Sequence, residues 1–450
     1  MDSGDHSARD QSVRDDFATS AVPLDRRYSA LSMGLLWITM VSGFPSVLVG
    51  FEWHKAGFSL TQVLTGAFVS CIILLVYVLS ASHLGAVTGL NFAMLTRSVF
   101  GRRGSQIISA LQTFLFLVWY AMIAGFVAVE LKGLFVIPCT VQVVAAVAAI
   151  LMAANNLFGF AGVANFAKYF AAPVLIFWIF SLCFKTSVLT PVSAWTEPGD
   201  GAFPSCLSVI SSFVIGYSVW GNEADFWRFA KPNLLTTSAP LVVAILVGQI
   251  VFPTSGWMLS RLIHVADMST ATGAVTDFSF GNAPLLAATV LTASYFAAGD
   301  ANLYGSINSI ENLLKFDRIK LVLSMMAFTA IVAIVLTYYG KAFEILSSFN
   351  SIVLPCVTII LIAEYFLIRR WKPALRPQDG DLLVYQPGVL WKAMISLLLG
   401  WTVGILTAGV IGGTESLHVG VWPLYAWLAS LVSYLVLRLV AAVQSDRAAS

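Results

Sequence analysis

The sequence predicts an all-α polytopic membrane protein of about twelve transmembrane helices. They form a 5+5 inverted repeat with discontinuous helices 1 and 6, followed by two extra C-terminal helices. Three observations carry this expectation. Of 450 residues, 58% are hydrophobic and 11% are charged, with a mean hydropathy of +0.84, whereas soluble domains carry about 25% charged residues. Apolar stretches of roughly 17–25 residues recur along the chain, each long enough to cross a hydrocarbon layer. Two of them, at corresponding positions, are interrupted by residues that a lipid-facing helix does not carry.

The spans fall at 31–51, 60–82, 107–131, 138–157, 167–184, 205–230, 236–258, 283–310, 319–339, 343–368, 391–411 and 420–442. A polar tail, 1–30, precedes them with Asp2, Asp5, Asp10, Asp15 and Asp16, and it resembles neither a signal peptide nor a transit peptide. Residues 31–184 form the first five-helix repeat and 205–368 the second, joined by an outer loop at 185–204. A cytoplasmic loop at 369–390 leads to the added pair in 391–442 and a tail at 443–450. Five helices per repeat is an odd number, so the two repeats must run oppositely through the membrane.

Even parity puts both termini on one side. Of 25 Lys and Arg, only Lys55, Lys132, Lys185, Arg261 and Lys341 fall opposite the termini. The positive-inside rule therefore assigns the termini to the cytoplasm of a multi-pass protein in the cell membrane. Five scattered cysteines form no CxxC pair, so neither a metal cluster nor a disulfide framework is expected.

Span six organises the chain. It reads SVISSFVIGYSVWGNEADFWRFAK over 208–231, passing through Gly216, Tyr217, Trp220 and Gly221 before Asn222, Glu223, Asp225 and Arg228. One reading is a short helix whose polar end lies at the membrane surface. The other is a discontinuous helix whose unwound middle lines a polar site. Span one has the same irregularity, with Ser42, Gly43 and Pro45 in succession, then Gly50 and Glu52. Proline removes a backbone donor and clashes with the preceding turn. An ordinary kink is the alternative, but each interrupted span is the first of its repeat. The expected helix breaks are at Gly43, Pro45, Gly216 and Gly221.

In span three, Gln112 and Trp119 share a helix face, and Trp119 lies near mid-span, away from the interfacial belt where membrane tryptophans collect. Glu130 sits at its outer end, where such residues are usually solvated. Span eight carries Asp300 and Asn302 between Gly299 and Gly305. A carboxylate at that depth must face the bundle interior, pair with a donor or hold a proton. It serves either a structural hydrogen bond or substrate and ion handling. Spans eleven and twelve hold no comparable charge and are expected to be scaffold or contacts of a weak homodimer; a monomer is equally compatible.

Three short segments then carry a resemblance: TGLNFAMLTRSVFG at 88–101, ADFWRFA at 224–230 and GDANLYGS at 299–306. In their order and spacing the chain resembles the nucleobase:cation symporter family (purine/cytosine permeases), in particular its bacterial cytosine permease branch. The resemblance extends from about Leu24 through the twelfth span and implies a LeuT-like, alternating-access transporter of purines, pyrimidines or related heterocycles. It implies that Trp119 stacks on a flat ring, that Gly216, Tyr217 and Trp220 approach it from span six, and that Asp300 and Asn302 hydrogen-bond its edge.

Two departures matter. Where family members often have a glutamine near the span-three tryptophan, this chain has Phe116 and Ile123, with Gln112 two turns away. Where sodium-coupled relatives carry hydroxyls before the span-eight asparagine, it has Phe296, Ala297 and Ala298, with Ser294 and Thr292 placed further off. Proton coupling is therefore expected, with Asp300 as first candidate and Glu52 and Glu223, expected nearer an interface, behind it. Sodium symport of a nucleobase, allantoin or hydroxymethylpyrimidine is the alternative, as is an uncoupled facilitator or channel. No His-x-x-x-His, Ser/His/Asp or P-loop pattern points to an enzyme, and nothing points to a cofactor or nucleic-acid partner.

Overall fold

The computed structural model describes residues 16–264, 268–281, 283–314, 316–339, 342–371 and 388–449. Asp2, Asp5, Asp10, Asp15 and Lys341 lie outside them, as does most of the loop expected at 369–390. Among the described residues the sole sheet-like pairing is an isolated bridge between Tyr28 and Ala230. The rest of the regular structure is helical.

The chain begins with α1 (Ala30–Val41) and α2 (Phe44–Lys55), then α3 (Leu60–Thr88), α4 (Phe92–Leu134) and α5 (Val141–Met152). A 3-10 turn at Ala153–Phe158 leads to α6 (Gly159–Phe166), α7 (Ala172–Trp178) and α8 (Lys185–Leu189), which wide π-helical turns join end to end. The interrupted sixth segment is α9 (Phe203–Ser218) and α10 (Glu223–Trp227). Then come α11 (Leu234–Leu246), α12 (Phe252–Ile263), α13 (Met268–Phe280), α14 (Pro284–Leu313) and α15 (Arg318–Leu336). The final group is α16 (Ala342–Asn350), α17 (Val353–Ile362), α18 (Arg369–Trp371), α19 (Trp391–Thr407) and α20 (Pro423–Ala449).

Local chemistry sets several ends. Ser59 and Gln62 form a capping box on α3, with Gln62 N–H donating to Ser59 Oγ at 3.1 Å and Ser59 N–H to Gln62 Oε1 at 2.8 Å. Asn91 caps α4 by accepting from Met94 N–H at 2.8 Å, and Asp317 caps α15. Eight helices among the described residues are long and apolar enough to cross a membrane, nine if the bent pair α1 and α2 is one span. This is an all-α, multi-pass membrane protein.

Three features differ from expectation. Span ten is also interrupted, between Asn350 and Val353. α13 is an additional helix between spans seven and eight, too short and mixed in polarity to read as a span. Glu130 is buried, with Thr272 Oγ1 donating to its Oε1 at 3.3 Å, because α13 covers the end of α4.

Small residues bring the helices close. α2 and α12 meet through Gly50 and Gly256, and α19 meets α20 where Gly400 faces Ser430. Glu364, beyond α17, accepts from Arg438 Nη2 at 2.8 Å, Tyr434 Oη at 2.9 Å and Arg369 Nε at 3.3 Å, which clamps α20 to the tenth segment.

Candidate substrate site

The site grows from the two helix breaks. α1 and α2 meet at 45°. Gly43 stands between them because a Cβ there would fall 2.5 Å from Ser294 Oγ and 3.4 Å from Tyr217 Oη. The freed Val41 carbonyl accepts from Gln249 Nε2 at 2.7 Å. Pro45 opens α2, where its missing N–H costs nothing.

The second break is more extensive. Gly216 and Val219 carbonyls accept from Asn350 Nδ2 at 2.8 and 2.7 Å. Thr358 Oγ1 donates to the Gly221 carbonyl. Trp220 and Gly221 N–H groups donate to Glu223 Oε1 at 3.0 and 3.1 Å, while Tyr77 Oη donates to Oε2 at 3.2 Å. Groups that a continuous helix would have paired internally therefore find side-chain partners. Gly221 has φ +79°, and a Cβ there would lie 3.1 Å from Leu354 Cα. Both the backbone angle and the space require glycine.

Between the breaks, α4 and α14 flank a narrow cavity of about 30 Å³ lined by Met40, Pro45, Phe116, Trp119, Ile123, Phe126, Tyr217, Trp220, Tyr295, Ala298, Asn302 and Asn350. Its walls are aromatic and aliphatic, with two amides and no charged side chain. From Trp220 a run of packed rings continues beyond the cavity: Trp220 against Phe226 at 5.9 Å, Phe226 against Tyr304 at 5.5 Å, and Phe160 stacked on Phe229 at 3.9 Å. Beyond them the buried Arg228 donates to the carbonyls of Phe17 and Asp16 at 2.8 and 3.0 Å and to Tyr304 Oη at 3.1 Å.

With this geometry in view, a family described as "Permease for cytosine/purines, uracil, thiamine, allantoin" matches residues 24–440. The chain belongs to this permease family. A purine-uracil permease of Arabidopsis thaliana is 30% identical over 118 residues, a stretch covering 26% of this chain and 20% of that protein. The fold is shared with Mhp1, a nucleobase-cation-symport-1 family transporter solved in a closed conformation with bromovinylhydantoin bound. The TM-score is 0.71 at 17% identity, covering 95% of this chain and 96% of that one. Inward-facing Mhp1 gives 0.66 at 18% identity over 94% and 93% of the two chains. A Na+-coupled sialic acid symporter gives 0.60 at 12% identity over 94% and 90%.

In this permease Trp119, Tyr217, Trp220 and Asn302 share one cavity wall with Pro45. Gly43 and Gly221 lie in the breaks, and Gly216 offers its carbonyl to Asn350. Two expectations need correction. Asp300 does not line the cavity: its carboxylate accepts from Asn155 Nδ2 at 2.7 Å and Asn156 Nδ2 at 3.3 Å, on another face of α14. Glu223, expected where it could stay solvated, is fully buried and binds the N–H groups of the break. Gln112, two turns from the tryptophan, donates to Asp225 at 3.1 Å and is not among the residues lining the cavity. Glu52 is half-buried on α2 and does not reach the wall. The residue that sequence reasoning missed is Asn350; its signal was the polar run Ser347, Ser348, Asn350, Ser351 inside an apolar span.

Among the described residues no group of three or more His, Cys, Asp and Glu could hold a metal ion.

Proposed function

We propose that this permease imports a nucleobase or related planar heterocycle by alternating access, coupled to protons. The observation that carries the reading is the uncharged cavity between two helix breaks, where indole and phenol rings of Trp119, Trp220 and Tyr217 face the amides of Asn302 and Asn350. A neutral flat ring needs stacking faces and hydrogen-bonding edges, and a salt-bridge partner would be wasted on it. Twelve passes in two inverted five-helix units with two added helices suit the segments. Val141–Leu189 is interrupted by the turn at Ala153–Phe158, α14 is a long helix made polar by its function, and α19 is short. Cytoplasmic termini suit both the Lys and Arg distribution and the contact of Arg228 with Asp16 and Phe17.

Asp300 remains the first candidate to carry the proton. Since it lies off the cavity, its coupling to substrate runs through α14 and the turn bearing Asn155 and Asn156. One observation favours sodium instead: Ser294 Oγ reaches the α1–α2 break beside Gly43, supplying a hydroxyl where the sequence suggested none would arrive.

Uptake into proteoliposomes separates these readings. An inward pH gradient without sodium should drive saturable uptake, and Asp300→Asn should abolish gradient-driven accumulation while retaining exchange. Strict sodium dependence at fixed pH gradient rejects proton symport. Wild-type coupling in Asp300→Asn rejects Asp300 as carrier, and uptake indifferent to any gradient makes the protein a facilitator. Stabilisation of the purified protein by amino acids or polyamines alone would end the heterocycle reading.

A further inference from the structure

Asn350 ends α16, at the interruption of span ten, and faces the cavity. Its Nδ2 donates both to the Gly216 carbonyl at 2.8 Å and to the Val219 carbonyl at 2.7 Å. Two carbonyl oxygens at one end of an amide admit only the NH2 group, so the orientation of the side chain follows from chemistry. The oxygen must then occupy the other end. Asn350 is 6% exposed, and its Oδ1 has no hydrogen-bond partner among the described residues. Trp220 Nε1, on the same cavity, is likewise buried without a partner. Two buried polar atoms of residues lining the cavity, one acceptor and one donor, are thus unused. Buried polar atoms are normally satisfied, and each left open costs stability.

We propose that Asn350 is a specificity-determining residue whose Oδ1 accepts a hydrogen bond from a ring N–H or exocyclic amine of the substrate, while Trp220 Nε1 donates to a carbonyl or ring nitrogen. The inference rests on the heterocycle reading above and narrows it to rings carrying both an N–H donor and an acceptor on their edges. Such an arrangement rejects analogues in which the donor is capped, because Oδ1 then stays unpaired and the added methyl group meets it. It also ties recognition to the break in span six, since the amide that reads the substrate is the one holding Gly216 and Val219.

The test is a substrate-variant cycle on detergent-solubilised protein. Cytosine, uracil, hypoxanthine and hydantoin, each with its singly N-methylated analogues, are titrated against wild type, Asn350→Ala, Asn350→Gln and Trp119→Ala. For at least one ring position the wild type should prefer the N–H form about tenfold, the worth of one good neutral hydrogen bond. That ratio should fall to about one in Asn350→Ala. Trp119→Ala should weaken both members of each pair while leaving their ratio intact. Asn350→Gln keeps an amide near the break, so it guards against misfolding of the alanine variant; its longer arm should move or erase the preferred position. An unchanged ratio in both folded Asn350 variants overturns the inference while the heterocycle reading stands. If no heterocycle binds wild type, the heterocycle reading itself fails.

Discussion

Glu223 offers the sharpest test of how the sixth segment is held open. Its carboxylate accepts from the N–H groups of Trp220 and Gly221 and from Tyr77 Oη, at 3.0, 3.1 and 3.2 Å, with the side chain wholly buried. Glu223→Ala leaves three buried donors without an acceptor. At about 1–3 kcal/mol for each unsatisfied group, the loss is ~3–9 kcal/mol, reduced toward the lower end where water entering the vacated space repairs part of it. Glu223→Gln keeps Oε1 for both N–H groups, and the Tyr77 hydroxyl can rotate to accept from the new amide. Its cost is confined to the extra strength of charge-assisted bonds, ~1 kcal/mol. The unfolding midpoint of the purified protein should therefore fall slightly for Gln and steeply for Ala. Gradient-driven uptake should persist in Gln, since a cap needs an acceptor and not a titrating proton. An alanine variant as stable as wild type refutes the capping account. A folded Gln variant that transports without coupling makes Glu223 the ion carrier instead.

Trp119→Ala should leave the fold intact and weaken heterocycle binding by about 1–3 kcal/mol, the range for aromatic stacking on bases; equal affinity in a direct titration removes the stacking role. Glu364→Ala should strip Arg438, Arg369 and Tyr434 of their shared acceptor. The expected loss of unfolding free energy is ~2–3 kcal/mol, below the penalty of a fully buried pair because the Arg438 side chain keeps 23% exposure. Wild-type stability there would mean that α20 is held by packing alone. On the loop before α9, the Arg261 guanidinium holds the Glu197 carboxyl below its ordinary value of 4.5. A depressed carboxylate contributes stability above its unfolded value and loses it as pH falls through the folded one. Protection against hydrogen exchange in residues 190–202, taken relative to the intrinsic rate at each pH, should therefore fall as pH drops below about 4.5 in wild type, but not in Glu197→Gln; identical acid responses exclude the pair as the cause.

The breaks in spans one and six were legible because glycine, proline and charge interrupt apolar runs there, and neither feature survives in a lipid-facing helix without compensation. Trp119 was legible from its depth. The direction of Asp300 was misjudged for a geometric reason: positions two apart on an α-helix differ by about 200°, so Asp300 and Asn302 could not both face one cavity. Glu223 was misplaced because its burial depends on Tyr77 and on two N–H groups freed by the break, partners that sequence distance conceals. Asn350 escaped notice because a serine-rich run inside an apolar span reads as ordinary helix until the carbonyls it serves, 131 and 134 residues away, are known. The hydroxyl of Ser294 likewise reaches Gly43 through packing that no local pattern encodes.

The side-chain amides that stitch the two breaks have a thermodynamic consequence. Gln249 holds the Val41 carbonyl and Asn350 those of Gly216 and Val219, so the backbone around the cavity is already unwound before any ligand arrives. Capture then bears no cost for melting a helical turn, and the affinity reflects the contacts themselves, undiminished by chain ordering. Calorimetry should accordingly give a small negative heat-capacity change, proportional to the apolar surface of the ring and constant per unit area from one heterocycle to the next. The much larger signature of a segment folding around its ligand should be absent.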